Sequence, residues 1–204
     1  MSQEFWNSRF SEPGYAYGTE PNAFLVSQKH RLSPGLKALA VGDGEGRNGV
    51  WLAQQGLDVL SVDNSAVGLS KIEALAHDRG VPIRTEFADL TTWHWPENEL
   101  DVVVAIFLHF RPEHRSRMHD KMRRALKPGG VLILEAFTPE QLEYKTGGPS
   151  ALEMLYTESI LRADFAGEDI PLLQQRLTEL REGIYHQGTA SVVDMLMIKK
   201  SRAD

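Results

Sequence analysis

Apolar and polar positions along this 204-residue chain change period repeatedly, and the changes mark out its elements. From residue 36 to residue 137, short apolar runs of strand length alternate with stretches of helical period. Leu36–Val41, Asp58–Val62, Pro82–Phe87, Leu100–Phe107 and Val131–Phe137 read as strands. Leu100–Phe107 is apolar on both faces, as expected of a central parallel strand covered by helices on either side. Arg47–Gln55, Ser65–Arg79 and Pro112–Leu126 read as helices. The first is stopped by Gly56. The second carries Leu69, Ile72 and Ala76 on one side and stops at Gly80. The third carries Met118, Met122, Ala125 and Leu126, and Lys127-Pro128-Gly129-Gly130 breaks it. Such alternation implies right-handed βαβ crossovers and a parallel sheet with helices on both faces. Pro171–Glu182 and Ala190–Lys200 then read as an antiparallel hairpin around Gly183–Gly188, with Ala151–Phe165 helical before it. The predicted fold class is therefore α/β: a doubly wound, mostly parallel seven-stranded sheet with a C-terminal antiparallel hairpin.

The first 35 residues differ in character. Phe5, Trp6, Phe10, Tyr15, Tyr17 and Phe24 are interleaved with Pro13-Gly14 and Pro21, so long regular structure is not expected before Asn22. A short helix opens at Pro21–Val26, and Ser33-Pro34-Gly35 marks a turn. No linker, repeat or low-complexity stretch divides the chain. The length suits a single domain, with residues 1–35 as a covering segment, 36–137 as the binding core and 138–204 as a lid and hairpin.

Composition narrows the partners. The formal net charge of -6 repels a nucleic-acid backbone. The one basic cluster, Arg111–Arg124, also holds Glu113 and Asp120 and reads as a solvated helix face. There is no cysteine, which excludes disulfides and thiolate chemistry by the protein and fits a reducing cytoplasm. The Met-Ser-Gln-Glu-Phe-Trp start lacks the pattern of a secretion signal. No apolar run approaches the length that spans a bilayer. The expectation is a cytoplasmic protein with a small-molecule partner and neither nucleic acid nor membrane; oligomeric state is not legible.

The candidate chemistry begins at Gly42-Asp43-Gly44-Glu45-Gly46-Arg47-Asn48, directly after the first strand. In an open α/β sheet the ligand lies beyond the carboxyl ends of the strands, and glycines let the backbone approach it closely. Asp63 ends the second strand, where a carboxylate can accept hydrogen bonds from both hydroxyls of a ribose. Gly44-x-Gly46-x-x-Gly49 also satisfies a dinucleotide-binding pattern. That register would continue the strand through Gly42-Asp43, which is poor strand sequence. Starting the turn at Gly42 places it where the apolar run ends, and Gly-x-Gly-x-Gly is the methyltransferase spacing. A tight turn that binds nothing is the bland alternative; the strand-end acid weighs against it.

On these motifs the chain resembles the class I S-adenosylmethionine-dependent methyltransferases, and more closely their small tellurite-resistance-type and thiopurine-methyltransferase-like branch. The resemblance spans nearly the whole sequence: Trp6–Phe10 through Tyr17–Asn22, Gly42–Asn48, Val62-Asp63, Ala88-Asp89-Leu90 and Leu126–Gly130. It implies a Rossmann-like fold and S-adenosyl-L-methionine as cofactor. It further implies that Gly42, Gly44 and Gly46 line the methionine part, that Asp63 binds the ribose, and that Asn48 and Asn64 belong to the cofactor-binding set. Asp89 would accept from the adenine amine and Leu90 would donate its backbone N–H to the ring. Ile106 would pack nearby, and Arg9 and Tyr17 would belong to the segment that closes over the cofactor. One position departs from the family. The acid usually found two residues before the first glycine, which helps hold the methionine end, is Ala40 here. Asp43, Glu45 or backbone groups are the alternatives for that task.

Methyl transfer is an in-line displacement, so the protein supplies orientation, desolvation and sometimes a base. Three candidates lie beyond the strand ends: His109, after the fourth strand; Tyr144, in the polar segment after the fifth; and His186, in the final hairpin. A buried histidine bonded to backbone is the competing reading for His109, and a plain turn for His186. His94, between Trp93 and Trp95, reads as packing. His114 and His119 are five residues apart and do not share a helix face, which disfavours zinc. The expected activity is methyl transfer to a small-molecule acceptor, thiol-like or chalcogen-derived by resemblance. A nicotinamide-dependent oxidoreductase and, because of Ala40, a non-catalytic cofactor-binding module remain the alternatives.

Overall fold

The computed structural model describes residues 2–201. Seven strands, β1 (Lys37–Val41), β2 (Asp58–Asp63), β3 (Arg84–Phe87), β4 (Leu100–Ile106), β5 (Leu126–Phe137), β6 (Asp169–Glu182) and β7 (His186–Ile198), form one sheet in the order β3-β2-β1-β4-β5-β7-β6. β1 and β2, β2 and β3, and β4 and β5 pair parallel, whereas β5 and β7 are antiparallel. The predicted fold class holds. Pro171 falls within β6, the edge strand at that end of the sheet, the kind of strand in which proline is tolerated.

The helices follow the expected periods, with caps that explain their ends. α3 (Arg47–Gln54) starts directly after the glycine loop. α4 (Ala66–Arg79) is capped by Ser65, whose hydroxyl accepts the Gly68 N–H at 3.1 Å, and ends on Gly80 in the left-handed region. α2 (Ala23–Ser27) is capped by Asn22, which accepts the Leu25 N–H at 3.0 Å. Three segments depart from expectation. Gln3–Phe10 is a helix, α1, because Ser2 caps it at the Phe5 N–H and the first turn formers, Pro13-Gly14, come only after it has ended. Lys127–Gly130 belongs to β5: Gly129 N–H donates to the Lys199 carbonyl at 2.7 Å and Lys199 N–H to the Gly130 carbonyl at 2.9 Å, so chain near the end of β7 holds these residues in the strand, as an irregularity where the β4–β5 register shifts and Gly129 takes φ 81°. Ala151–Phe165 is divided into a single 3-10 turn, Leu152–Met154, and α7 (Glu158–Asp164). Between them Tyr156 is fully buried and its N–H donates to the Phe137 carbonyl at 3.0 Å.

The chain forms two compact units. One runs to Trp93 and takes in Glu182–His186; the other runs from His94 to Arg181 and resumes at Gln187. In the first, Val50, Leu69, Ile72, Leu75 and Ala76 form a core between α3 and α4. In the second, Phe137, Leu155, Leu180, Ala190 and Val192 do the same. α5 (Pro112–Ala125) buries Met118, His119, Met122 and Ala125. Its arginines meet acids: Arg115 with Asp164 at 2.9 Å, Arg123 with Asp120 at 2.6 Å, and Arg124 with Glu97 at 2.7 Å. Three arginines of the basic cluster are thereby paired. Among the described residues no helix is long and apolar enough to cross a membrane.

Candidate active site

β1 ends at Val41, and the loop turns at once. Gly42, Gly44 and Gly46 take φ of 60°, 62° and 91°, all in the left-handed region that L side chains avoid. Gly42 N–H donates to the Val62 carbonyl at 2.8 Å, tying the start of the loop to the end of β2. The turn therefore begins at Gly42, the register that distinguishes the two glycine motifs. Gly46 has a second constraint: a Cβ there would lie 2.8 Å from Ile72 Cγ1.

Three acids surround this loop, and each is committed to a partner. Asp63 accepts the Gly44 N–H at 2.9 Å through Oδ2 and the Ser65 N–H at 2.8 Å through Oδ1. Burial pushes its carboxyl up to about 6, against those backbone donors. Asp43 points inward, accepting from the Ser61 hydroxyl and from the Gly49 N–H at 3.2 Å. Burial pushes it up to about 7, with Ser61 and Gly49 opposing. Glu45 accepts the Ala16 N–H at 2.7 Å and pairs with Lys71 at 2.7 Å, and Lys71 also donates to the Gly14 carbonyl. Glu45 is thus a clasp that holds the N-terminal segment. Asn48 acts similarly, its Oδ1 accepting the Asn22 N–H at 3.0 Å. Asn64 is half-buried. Beyond β3, Asp89 is exposed and its Oδ1 accepts from the Thr91 N–H and hydroxyl, while Leu90 is buried.

The N-terminal segment gathers a polar and aromatic group within the same unit. Phe10, on α1, packs over the loop, where a Cβ on Gly44 would lie 3.2 Å from its ring. Arg9 donates to the Tyr17 hydroxyl at 3.2 Å and lies over the Tyr185 ring at 3.7 Å. Tyr17 stands 4.5 Å from the His186 ring, centroid to centroid. His186 bonds through Nδ1 to Glu182 Oε2 at 3.2 Å, and Arg47 Nη2 donates to the same oxygen at 2.8 Å. Burial opposes ionisation of Glu182, yet His186 and Arg47 hold its carboxyl down at about 2. Burial pushes His186 below the ordinary histidine range despite Glu182, so its ring is neutral at pH 7. Three predicted residues, Arg9, Tyr17 and His186, therefore share one cluster.

The second unit holds the other candidates. Ile106 is buried at the end of β4. Phe107 follows in the left-handed region at φ 54°, a strained position for an aromatic residue, and stacks on Phe137 at 4.3 Å. His109 bonds through Nδ1 to the Met154 carbonyl at 2.8 Å and accepts the Phe137 N–H through Nε2 at 3.2 Å. Tyr144 is half-buried and ends the short helix α6 (Gln141–Tyr144).

Residues 38–130 match the family model described as a methyltransferase domain. The cypemycin N-terminal methyltransferase of Streptomyces is 32% identical over 143 residues, covering 67% of this chain and 56% of that one. The chain carries a class I methyltransferase domain. The cofactor of such a domain is S-adenosylmethionine. Two solved structures share the fold. One, from work on conversion of a disulfide bond into a thioacetal group during echinomycin biosynthesis, superposes with a TM-score of 0.75 at 21% identity, covering 99% of this chain and 94% of that one. TehB from Haemophilus influenzae superposes at 0.71 and 20% identity, covering 88% and 62%. The chain spans between about a fifth and just over half the length of the curated relatives it matches. Sequence reasoning did not single out Arg47 and Glu182, which join the cluster around His186. They are 135 positions apart, and only folding shows that they meet.

Proposed function

We propose that this chain transfers a methyl group from S-adenosylmethionine to a small soft nucleophile, a thiol or a reduced chalcogen species. The observation that carries the reading is the loop of three left-handed glycines bonded to the strand-end acid Asp63. That loop brings backbone close to a ligand without Cβ interference, and Arg47 Nη1, buried without a hydrogen-bond partner among the described residues, gives the same region an unused cationic donor. These residues fit the cofactor. A sulfur acceptor is supported by the fold relative from work on conversion of a disulfide bond into a thioacetal group.

When bound, S-adenosylmethionine supplies an electrophilic methyl group on a sulfonium. In this reading Gly42, Gly44 and Gly46 flank the methionine part with Asn48, and Asp63 accepts from the ribose hydroxyls beside Asn64. Asp89 and Leu90 hold the adenine, and Arg9 and Tyr17 keep water out. His186 is the proton acceptor. Its Nδ1 is bonded to Glu182, which orients the ring, and burial favours the neutral form that can take up a thiol proton. His109 spends both ring nitrogens on backbone and fixes the turn after β4. Tyr144 borders the polar segment after β5.

The test is transfer of labelled methyl from S-adenosylmethionine to a panel of thiols, selenols and amines. Label in the soft acceptors, with His186→Ala lowering kcat while S-adenosylhomocysteine affinity holds, is the expected outcome. Label confined to amines would refute the acceptor class. Binding of NAD(H) without S-adenosylhomocysteine would refute the whole reading.

A further inference from the structure

Arg47 is the first residue of α3, immediately after the third glycine of the loop. Its side chain is only 8% exposed. Nη2 is bonded to Glu182, while Nη1 is buried and has no hydrogen-bond partner among the described residues. A buried guanidinium donor left unmade is costly, and folded proteins rarely retain one without a reason. The protein has no neighbouring acid to spare for it. Asp43 faces Ser61 and Gly49, Glu45 faces Lys71 and Ala16, and Asp63 faces Gly44 and Ser65. Glu182 already receives Arg47 Nη2, His186 Nδ1 and, at 3.3 Å, Asn22 Nδ2. Arg47 also opens α3, whose N-terminus itself favours negative charge. The group that completes the unused donor is therefore an anion brought by the ligand of the glycine loop.

We infer that Arg47 is the anchor for the α-carboxylate of S-adenosylmethionine, with Glu182 holding the guanidinium in place. The inference rests on the cofactor assignment and extends it. It also bears on Ala40. With no acid there, and with Asp43 and Glu45 committed to protein partners, the amino-acid end of the cofactor is recognised through its carboxylate rather than its ammonium.

The test is calorimetric and needs no turnover. S-adenosylmethionine and decarboxylated S-adenosylmethionine are titrated into the wild-type chain and into Arg47→Met. The two ligands differ only in the carboxylate. Wild type should prefer the carboxylated ligand by about 10- to 100-fold, the span of one charge-assisted hydrogen bond, and Arg47→Met should reduce that ratio to within about threefold. If Arg47→Met does not fold, Arg47→Gln is used in the same comparison with the same expectation. A wild type that binds both ligands equally overturns the proposal, as does a folded variant that keeps the wild-type ratio. Failure of wild type to bind either ligand overturns the cofactor assignment as well, so the two failures are told apart.

Discussion

Replacing Glu182 by glutamine keeps the side chain's size and one carbonyl oxygen but removes the negative charge that Arg47 and His186 share. The carboxylate is 13% exposed, and the Arg47 guanidinium against it is 8% exposed, so solvent screens the pair poorly. The carboxyl is held at about 2 instead of 4.5, which at about 1.4 kcal/mol per pH unit is about 3 kcal/mol favouring the ionised folded state. The sign follows from the depression: this stability is present above the unfolded value and is lost as pH falls through the folded one. Glu182→Gln should therefore cost about 3 kcal/mol at pH 7, or about 6–12 °C in Tm for a chain of this size. Protonation removes most of the wild-type advantage at low pH, so the gap should shrink to about 1.5 kcal/mol at pH 3. Thermal unfolding followed by circular dichroism at both pH values measures it. A gap of the same size at pH 3 and pH 7, or none at pH 7, would show that the charge of Glu182 is not what holds the Glu182–His186 turn.

Asp63→Ala should weaken S-adenosylhomocysteine binding by about 1.5–3 kcal/mol in calorimetry. Because burial raises the Asp63 carboxyl to about 6, wild-type affinity should fall as pH drops below that value, while Asp63→Asn should show a flat profile over the same range. Gly46→Ala forces an L side chain to φ 91° and drives its Cβ to 2.8 Å from Ile72, so a loss of about 2–4 kcal/mol is expected in denaturant unfolding; a loss below about 0.5 kcal/mol would mean the loop relaxes freely. His109→Ala leaves the Phe137 N–H and the Met154 carbonyl without their partner and should cost about 2 kcal/mol in stability. Wild-type Tm with lowered kcat would instead make His109 a proton carrier.

Much of the fold was legible because its signals are local. The apolar runs at Leu36–Val41 and Leu100–Phe107, the helix opening at Ser65 and the stop at Gly80 are set by neighbours within a turn or two. The departures came where distant chain overrode local preference. Lys127–Gly130 carries turn residues, yet pairing with Lys199 draws it into β5. Ala151–Phe165 has helical composition, yet the backbone bond from Tyr156 to Phe137 opens it.

The candidate site divides in the same way. By itself the sequence determined that three glycines follow the first strand, that an acid closes the second, and that Ala40 stands where the family carries a carboxylate. These are facts of spacing, and spacing is written along the chain. Only the tertiary structure decided what each charge does. It committed Asp43 and Glu45 to the protein, tied both His109 nitrogens to backbone, and brought Glu182 and His186 to Arg47 across 135 residues. Burial and hydrogen-bond partners fix a side chain's charge and availability, and both are properties of packing.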